Sequence, residues 1–164
     1  MADHFRRGDP MHRLIAITLL ALLAGTVYLY SQSSGTKNPL MGAWKVTEIA
    51  DTNGPAITNP QPGLYIFAGQ HYSFARINGT KPLPNYPSND KATDGEKVTV
   101  FNQLYLNTGT YTVSGNMLRT KAMVAKSAFA IGGAGNQYEF TLNGNSLVLT
   151  QKPSGAVIKL ARLE

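Results

Sequence analysis

"NPLMGAWKVTEIA", residues 38–50, contains the only tryptophan of a 164-residue chain. Pro39 precedes the run and Gly42 opens it. A residue without a Cβ lets the chain turn closely into an extended segment. From Trp44 onward the pattern is that of a short strand, on which side chains two apart share a face. Trp44, Val46 and Glu48 therefore share one. A large indole at the head of a first strand is either a core piece or a plug, and the rest of the chain decides between them.

The segments that follow are rich in Thr, Tyr, Val, Gly and Asn and are punctuated at short intervals, the signature of antiparallel β-structure. Strands are expected at about 43–50, 63–68, 70–77, 106–114, 117–124, 136–142, 146–152 and 156–163. Tight connections join most of them: "AGQ" at 68–70, "SGN" at 114–116, "NGN" at 143–145 and "PSG" at 153–155. Each supplies Gly or Asn where a hairpin needs positive φ. Alternation assigns the faces. Tyr138, Phe140 and Leu142 oppose Gln137, Glu139 and Thr141; Tyr72 and Phe74 oppose His71 and Ser73; Tyr111 and Val113 share a face with Gly109. One face is buried and the other wet. Eight hairpin-linked strands can close into an up-and-down barrel, which removes exposed edges.

Residues 78–107, "NGTKPLPNYPSNDKATDGEKVTVFNQLYLN", interrupt the meander after the third strand. Pro82, Pro84 and Pro87 enforce an extended loop. Thr93 with Glu96 three residues on fits a capping box, predicting a short helix over about 93–104. The insertion is long enough to cover a barrel mouth or to serve as a packed crossover. "AIGGAGN" at 130–136 reads as a flexible loop between strands, with no following helix to make it a phosphate cradle. Asn78-Gly79-Thr80 is formally a glycosylation sequon and equally a turn.

The N-terminal 35 residues differ. Arg6, Arg7 and Arg13 precede an apolar run from Leu14 to Tyr30, with small residues at Ser31 and Ser33 placed for a signal peptidase. Residues 1–35 are expected to be a signal peptide or, uncut, an N-terminal membrane anchor through residues 14–30, ahead of a domain over 36–164. Met11 is an alternative start. The twin arginine lacks the hydrophobic residues that should follow it. The product is expected to be exported: periplasmic or secreted, or else held at the inner membrane. There is no cysteine, so neither a disulfide framework nor lipid attachment through a cysteine is available. From residue 36 the chain carries 12 Lys+Arg and 7 Asp+Glu. These basic residues are scattered singly, whereas nucleic-acid binding wants a stripe or cluster, so a nucleic-acid partner is not expected.

Taken in order, "LMGAWKVTEI", "GLYIFAGQHYSFARI", "NTGTYTVSGNMLRT", "YEFTLNGNSLVLTQ" and "IKLARLE" resemble the bacterial lipocalin-like domains, whose Gly-x-Trp opening is shared with lipocalins. The resemblance spans residues 38 to 164. It implies an all-β fold: an eight-stranded antiparallel up-and-down barrel holding a small apolar molecule. It also implies that Trp44 closes one end, with Gly42 before it and Arg162 packed across its ring. The chain departs from the lipocalins in having no disulfide and no C-terminal helix, and in its insertion.

Catalytic chemistry is poorly provided for. Beyond the export segment only His71 remains, beside a turn on the outer face, and there is no thiol. No Gly-x-Ser-x-Gly elbow and no close carboxylate pair is evident. No catalytic residue, metal or cofactor is therefore assigned. The inward set is Val46, Tyr65, Phe67, Tyr72, Phe74, Tyr111, Val113, Leu118, Tyr138 and Phe140, an aromatic wall that suits a small-molecule pocket or a filled core. Glu48 and Arg76 share faces with this set. They pair with each other, or Arg76 meets a ligand carboxylate, or both lie at the rim, or a bulge turns Glu48 outward. The expectation is a monomeric, non-catalytic barrel binding a small hydrophobic or amphipathic molecule. The alternatives are an isomerase or cyclase on the same barrel, and a structural or interaction module with a filled interior.

Overall fold

A computed structural model describes residues 38–163. The expected signal or anchor over 1–35, with its alternative start and cleavage positions, lies outside the described residues. The strands are β1 (Gly42–Ala50), β2 (Gly63–Ala68), β3 (His71–Ile77), β4 (Leu104–Ser114), β5 (Met117–Ala125), β6 (Asn136–Asn143), β7 (Ser146–Lys152) and β8 (Val157–Arg162). Helix α1 (Asp94–Gln103) separates β3 from β4, and α2 (Ala128–Gly132) separates β5 from β6. Each strand pairs antiparallel with the next, and β8 pairs with β1, so the sheet closes in the order β1 to β8. The expected eight-stranded up-and-down barrel is what the chain forms.

Two details differ from the sequence reading. The Gly-rich loop opens with a five-residue helix, α2. β4 begins two residues earlier than expected, at Leu104. The capping box is present as read: the Thr93 side chain accepts from the Glu96 N–H, and the Glu96 carboxylate accepts from the Thr93 N–H. The insertion leaves and rejoins the barrel at one point, where the Asn78 N–H donates to the Gln103 carbonyl at 2.7 Å. It buries none of α1.

Antiparallel succession gives the barrel two unlike ends. At the first, short turns link β2 to β3, β4 to β5 and β6 to β7. At the far end lie the connections 51–62, 78–103, 126–135 and 153–156. The core runs between them: Trp44, Tyr65, Phe67, Phe74, Leu118, Leu147, Leu149 and Leu160 are all essentially buried. Phe74 sits among aromatic rings. Its centroid is 4.0 Å from stacked Tyr65, 4.6 Å from Tyr72, 5.5 Å from Phe67 and 6.3 Å from Tyr138. Offset and edge-on aromatic pairs of this kind add about 0.5–1.5 kcal/mol each beyond their buried area. The middle of the barrel is therefore occupied by side chains.

Two irregularities shape the wall. On β1 the register with β8 slips between Val46 and Glu48, so that Val46 pairs with Leu160 but Glu48 with Lys159. On β4 it slips between Thr108 and Gly109. There a Cβ in place of the Gly109 hydrogen would lie 2.0 Å from the Lys121 carbonyl oxygen, so only glycine fits. Such bulges bend a sheet and re-aim side chains.

Candidate functional site

The first end is closed by the opening stretch. Gly42 takes φ 121°, a conformation that a residue with a Cβ avoids, and turns the chain into β1. Trp44 is wholly buried, and its indole N–H donates to the Leu40 carbonyl at 2.8 Å. The Arg162 guanidinium lies 4.0 Å from the centroid of the Trp44 ring and donates to the carbonyls of Met41 and Pro39 at 2.6 and 2.9 Å. Tyr111 and Phe67, in edge contact at 5.1 Å, pack behind this plug. The indole N–H is thus taken by Leu40, and Arg162 is bound to the chain that enters β1.

The chemistry gathers toward the far end. Of the inward set, Val46, Tyr65, Phe67, Tyr72, Phe74, Tyr111, Leu118, Tyr138 and Phe140 all join one core cluster, with Val113 packed against it. Arg76 continues the inner row of Tyr72 and Phe74 and is half-buried. Its Nη1 donates to the Tyr65 hydroxyl at 3.0 Å and its Nε to the Asn78 side-chain carbonyl at 3.0 Å. Its guanidinium carbon stands 4.5 Å from the centroid of the Tyr105 ring. Tyr72 donates its hydroxyl proton to Asn107, which is itself buried. Four phenols, one guanidinium and two amides thus converge on one part of the interior.

Glu48 is not among them. The β1 bulge turns it to the outer face, where its carboxylate meets Lys159 Nζ at 2.9 Å. Of the alternatives for Glu48, the outward bulge is the one that forms; Glu48 does not pair with Arg76 and does not line the interior among the candidate ligand-binding residues. Arg76 has no carboxylate partner among the described residues.

The phenols are proton holders. Burial pushes the Tyr65 hydroxyl up to about 12, against the opposing pull of Arg76, and burial likewise raises Tyr72 and Tyr138. At neutral pH these groups are uncharged hydrogen-bonding groups and none is a base. The cluster then carries the single positive charge of Arg76, whose guanidinium offers more N–H donors than its two side-chain bonds use. Among the described residues no group of three or more His, Cys, Asp or Glu is placed to hold a metal ion.

A cleft of about 650 Å³ opens beside this cluster. It exists because β1 and β2 pair only from Gly42–Phe67 to Lys45–Leu64. Past that point β1 exchanges hydrogen bonds with the connection instead, Ile49 with Ile57, at 3.1 and 2.8 Å. The seam between the two strands is left as a gap. Val46, Gly63 and Arg76 reach it from the inner row; Lys45, Leu64, Ala75 and Ile77 from the outer; Pro60 and Pro62 from the connection. A second hollow of about 310 Å³ lies under α2, floored by Asn107 and Ala122 and flanked by Phe129.

Sequence reasoning missed Tyr105, Asn107, Asn78 and Lys45. Extending the alternation of β4 back through "LYLN" would have placed Tyr105 and Asn107 on the face of Gly109 and Tyr111. Lys45 carried no such signal, because it lies on the outer row and joins the site only where the seam opens.

Two solved structures share the architecture. A lipocalin-like protein from Bacteroides uniformis is 12% identical, covers 77% of this chain and all of its own, and superposes with a TM-score of 0.47. An uncharacterized protein from Bacteroides eggerthii is 10% identical, covers 75% of this chain and 98% of its own, with a TM-score of 0.46. No protein-family model and no curated protein matches the chain.

Proposed function

We propose that this barrel is an exported module that binds a small amphipathic molecule at its far end, without catalysing a reaction on it. The observation that carries the reading is Arg76: a half-buried cation with no carboxylate partner among the described residues, hydrogen-bonded to Tyr65, at the edge of a cleft with largely apolar walls. A small-molecule site of the usual kind is concave, mostly apolar and equipped with a few fixed polar groups. The side chains that fill the middle of the barrel support a place for such a molecule at the rim and seam. The raised phenols favour holding over turning over, since they neither lose protons near neutrality nor flank a nucleophile. Export rests on the Arg-flanked apolar run over 14–30 and makes the compartment periplasmic or extracellular.

Native mass spectrometry of the protein purified from its own host tests the binding reading. A co-purified small molecule, lost from the Arg76→Met variant, is the expected result. A bare protein mass under gentle conditions, with no displacement of an apolar dye, would favour the second reading: an interaction module whose interior is filled by the rings around Phe74. Cell fractionation of a tagged full-length chain tests export, and an unprocessed soluble product in the cytoplasm would overturn it.

A further inference from the structure

Two cations line the seam between β1 and β2, Lys45 on the outer row and Arg76 on the inner, and among the described residues no Asp or Glu lines it. Neither cation is ion-paired among the described residues. The acid nearest in sequence on β1, Glu48, is turned away by the bulge and held by Lys159. The same wall carries the apolar side chains of Leu64, Ala75, Ile77 and Leu104, together with the polar Thr47, Thr58 and Asn59. Gly63 lets Val46 and Arg76 approach closely on the inner row. A Cβ there would sit 2.7 Å from Val46 Cγ2 and 2.9 Å from Arg76 Cβ, so glycine alone separates the two rows without displacing them.

We infer that the seam, and not the interior of the barrel, is the ligand site, and that its ligand is a monoanionic amphipath. The acid group sits between Lys45 and Arg76 and the apolar body lies along Leu64, Ala75 and Ile77. The inference rests on the binding reading above and names its location and ligand class. The physical reason is the balance of charge. A guanidinium withdrawn from water is best satisfied by a hydrogen-bonded anion, and the described residues supply none here. The neutral phenols cannot serve. A forked carboxylate accepts from guanidinium N–H donors, while the exposed Lys45 adds attraction that salt screens.

Titration calorimetry on the protein purified from its host, with decanoate and 1-decanol as probes, tests this. Decanoate is expected to bind at least about tenfold more tightly than 1-decanol, the smallest effect anticipated for a hydrogen bond to a charged group. The preference should shrink in Lys45→Met and in Arg76→Met and vanish in the double variant. Ala75→Leu, which fills the cleft from the outer row, should abolish decanoate binding while leaving the emission of buried Trp44 unchanged. Equal affinities for the two probes, or a preference that survives the double variant, would overturn the anionic class and leave the binding reading standing. Decanoate binding undiminished in Ala75→Leu would overturn the seam as its place. No binding of either probe would remove both this inference and the reading beneath it.

Discussion

Arg162, the last residue of the last strand, lies over Trp44, near the start of the first, with its guanidinium carbon 4.0 Å from the ring centroid. The two residues are opposite each other in the β1–β8 ladder, the pairing that closes the barrel. Arg162 also ties down the chain before β1 through the carbonyls of Pro39 and Met41. One side chain thus joins the β1–β8 closure, caps the plug and holds the entering chain.

Trp44→Ala should destabilise the domain by about 3–5 kcal/mol, the usual range for truncating a buried Trp. Trp44→Phe should cost less, because it keeps much of the buried surface but loses the bond to Leu40. Arg162→Ala should cost less than Trp44→Ala, and the two changes should be non-additive because the residues touch. Urea unfolding of the two single variants and the double checks this. Emission of the sole tryptophan should be blue-shifted and poorly quenched by iodide.

Alkaline titration should separate the eight tyrosines. Tyr65, with its hydroxyl at about 12, and Tyr72 and Tyr138, also raised, should ionise after the exposed phenols. The unfolded chain ionises its tyrosines near 10, so above that pH it binds fewer protons than the folded state, and stability falls. The contribution of Tyr65, on the order of 2–3 kcal/mol, is fully present below pH 10 and lost as pH rises toward about 12. Denaturant midpoints between pH 8 and 11 check the direction, and Tyr65→Phe should flatten the fall.

Glu48→Gln should change stability by no more than about 1 kcal/mol and leave ligand binding intact. The Lys159 side chain of this pair is 47% exposed and that of Glu48 23%, so the interaction is that of a surface pair. A loss of several kcal/mol on denaturant unfolding would instead mark Glu48 as an interior charge.

Much of this architecture was legible in the sequence. Period-two alternation and turns built on Gly or Asn locate the strands, because both follow from local backbone geometry. The Thr93–Glu96 box locates the start of α1 for the same reason. The inner faces of β2, β3 and β6 also read correctly, since no bulge interrupts their registers. The side of Glu48 stayed open between inward and outward, because the β1 bulge inserts one residue and a single slip sends every later side chain to the other face. The seam was invisible for a different reason: it arises from where β1 stops pairing with β2, a relation between segments that neither strand states alone. The rings around Phe74 were legible as aromatic residues on inner faces, yet whether they line a pocket or fill it depends on their packing.

We propose that a small acid-bearing molecule is held at the Arg76 end of this barrel. It is tested most directly by two-dimensional ¹⁵N NMR of the domain titrated with decanoate, following backbone amides, the arginine Nε–H groups and the Trp44 indole. Saturable shifts at Leu64, Ala75 and the Nε–H of Arg76, with the Trp44 indole and the Nε–H of Arg162 unmoved, are the predicted result. Shifts confined to the Trp44 end, or a spectrum unchanged at saturating decanoate, would contradict it.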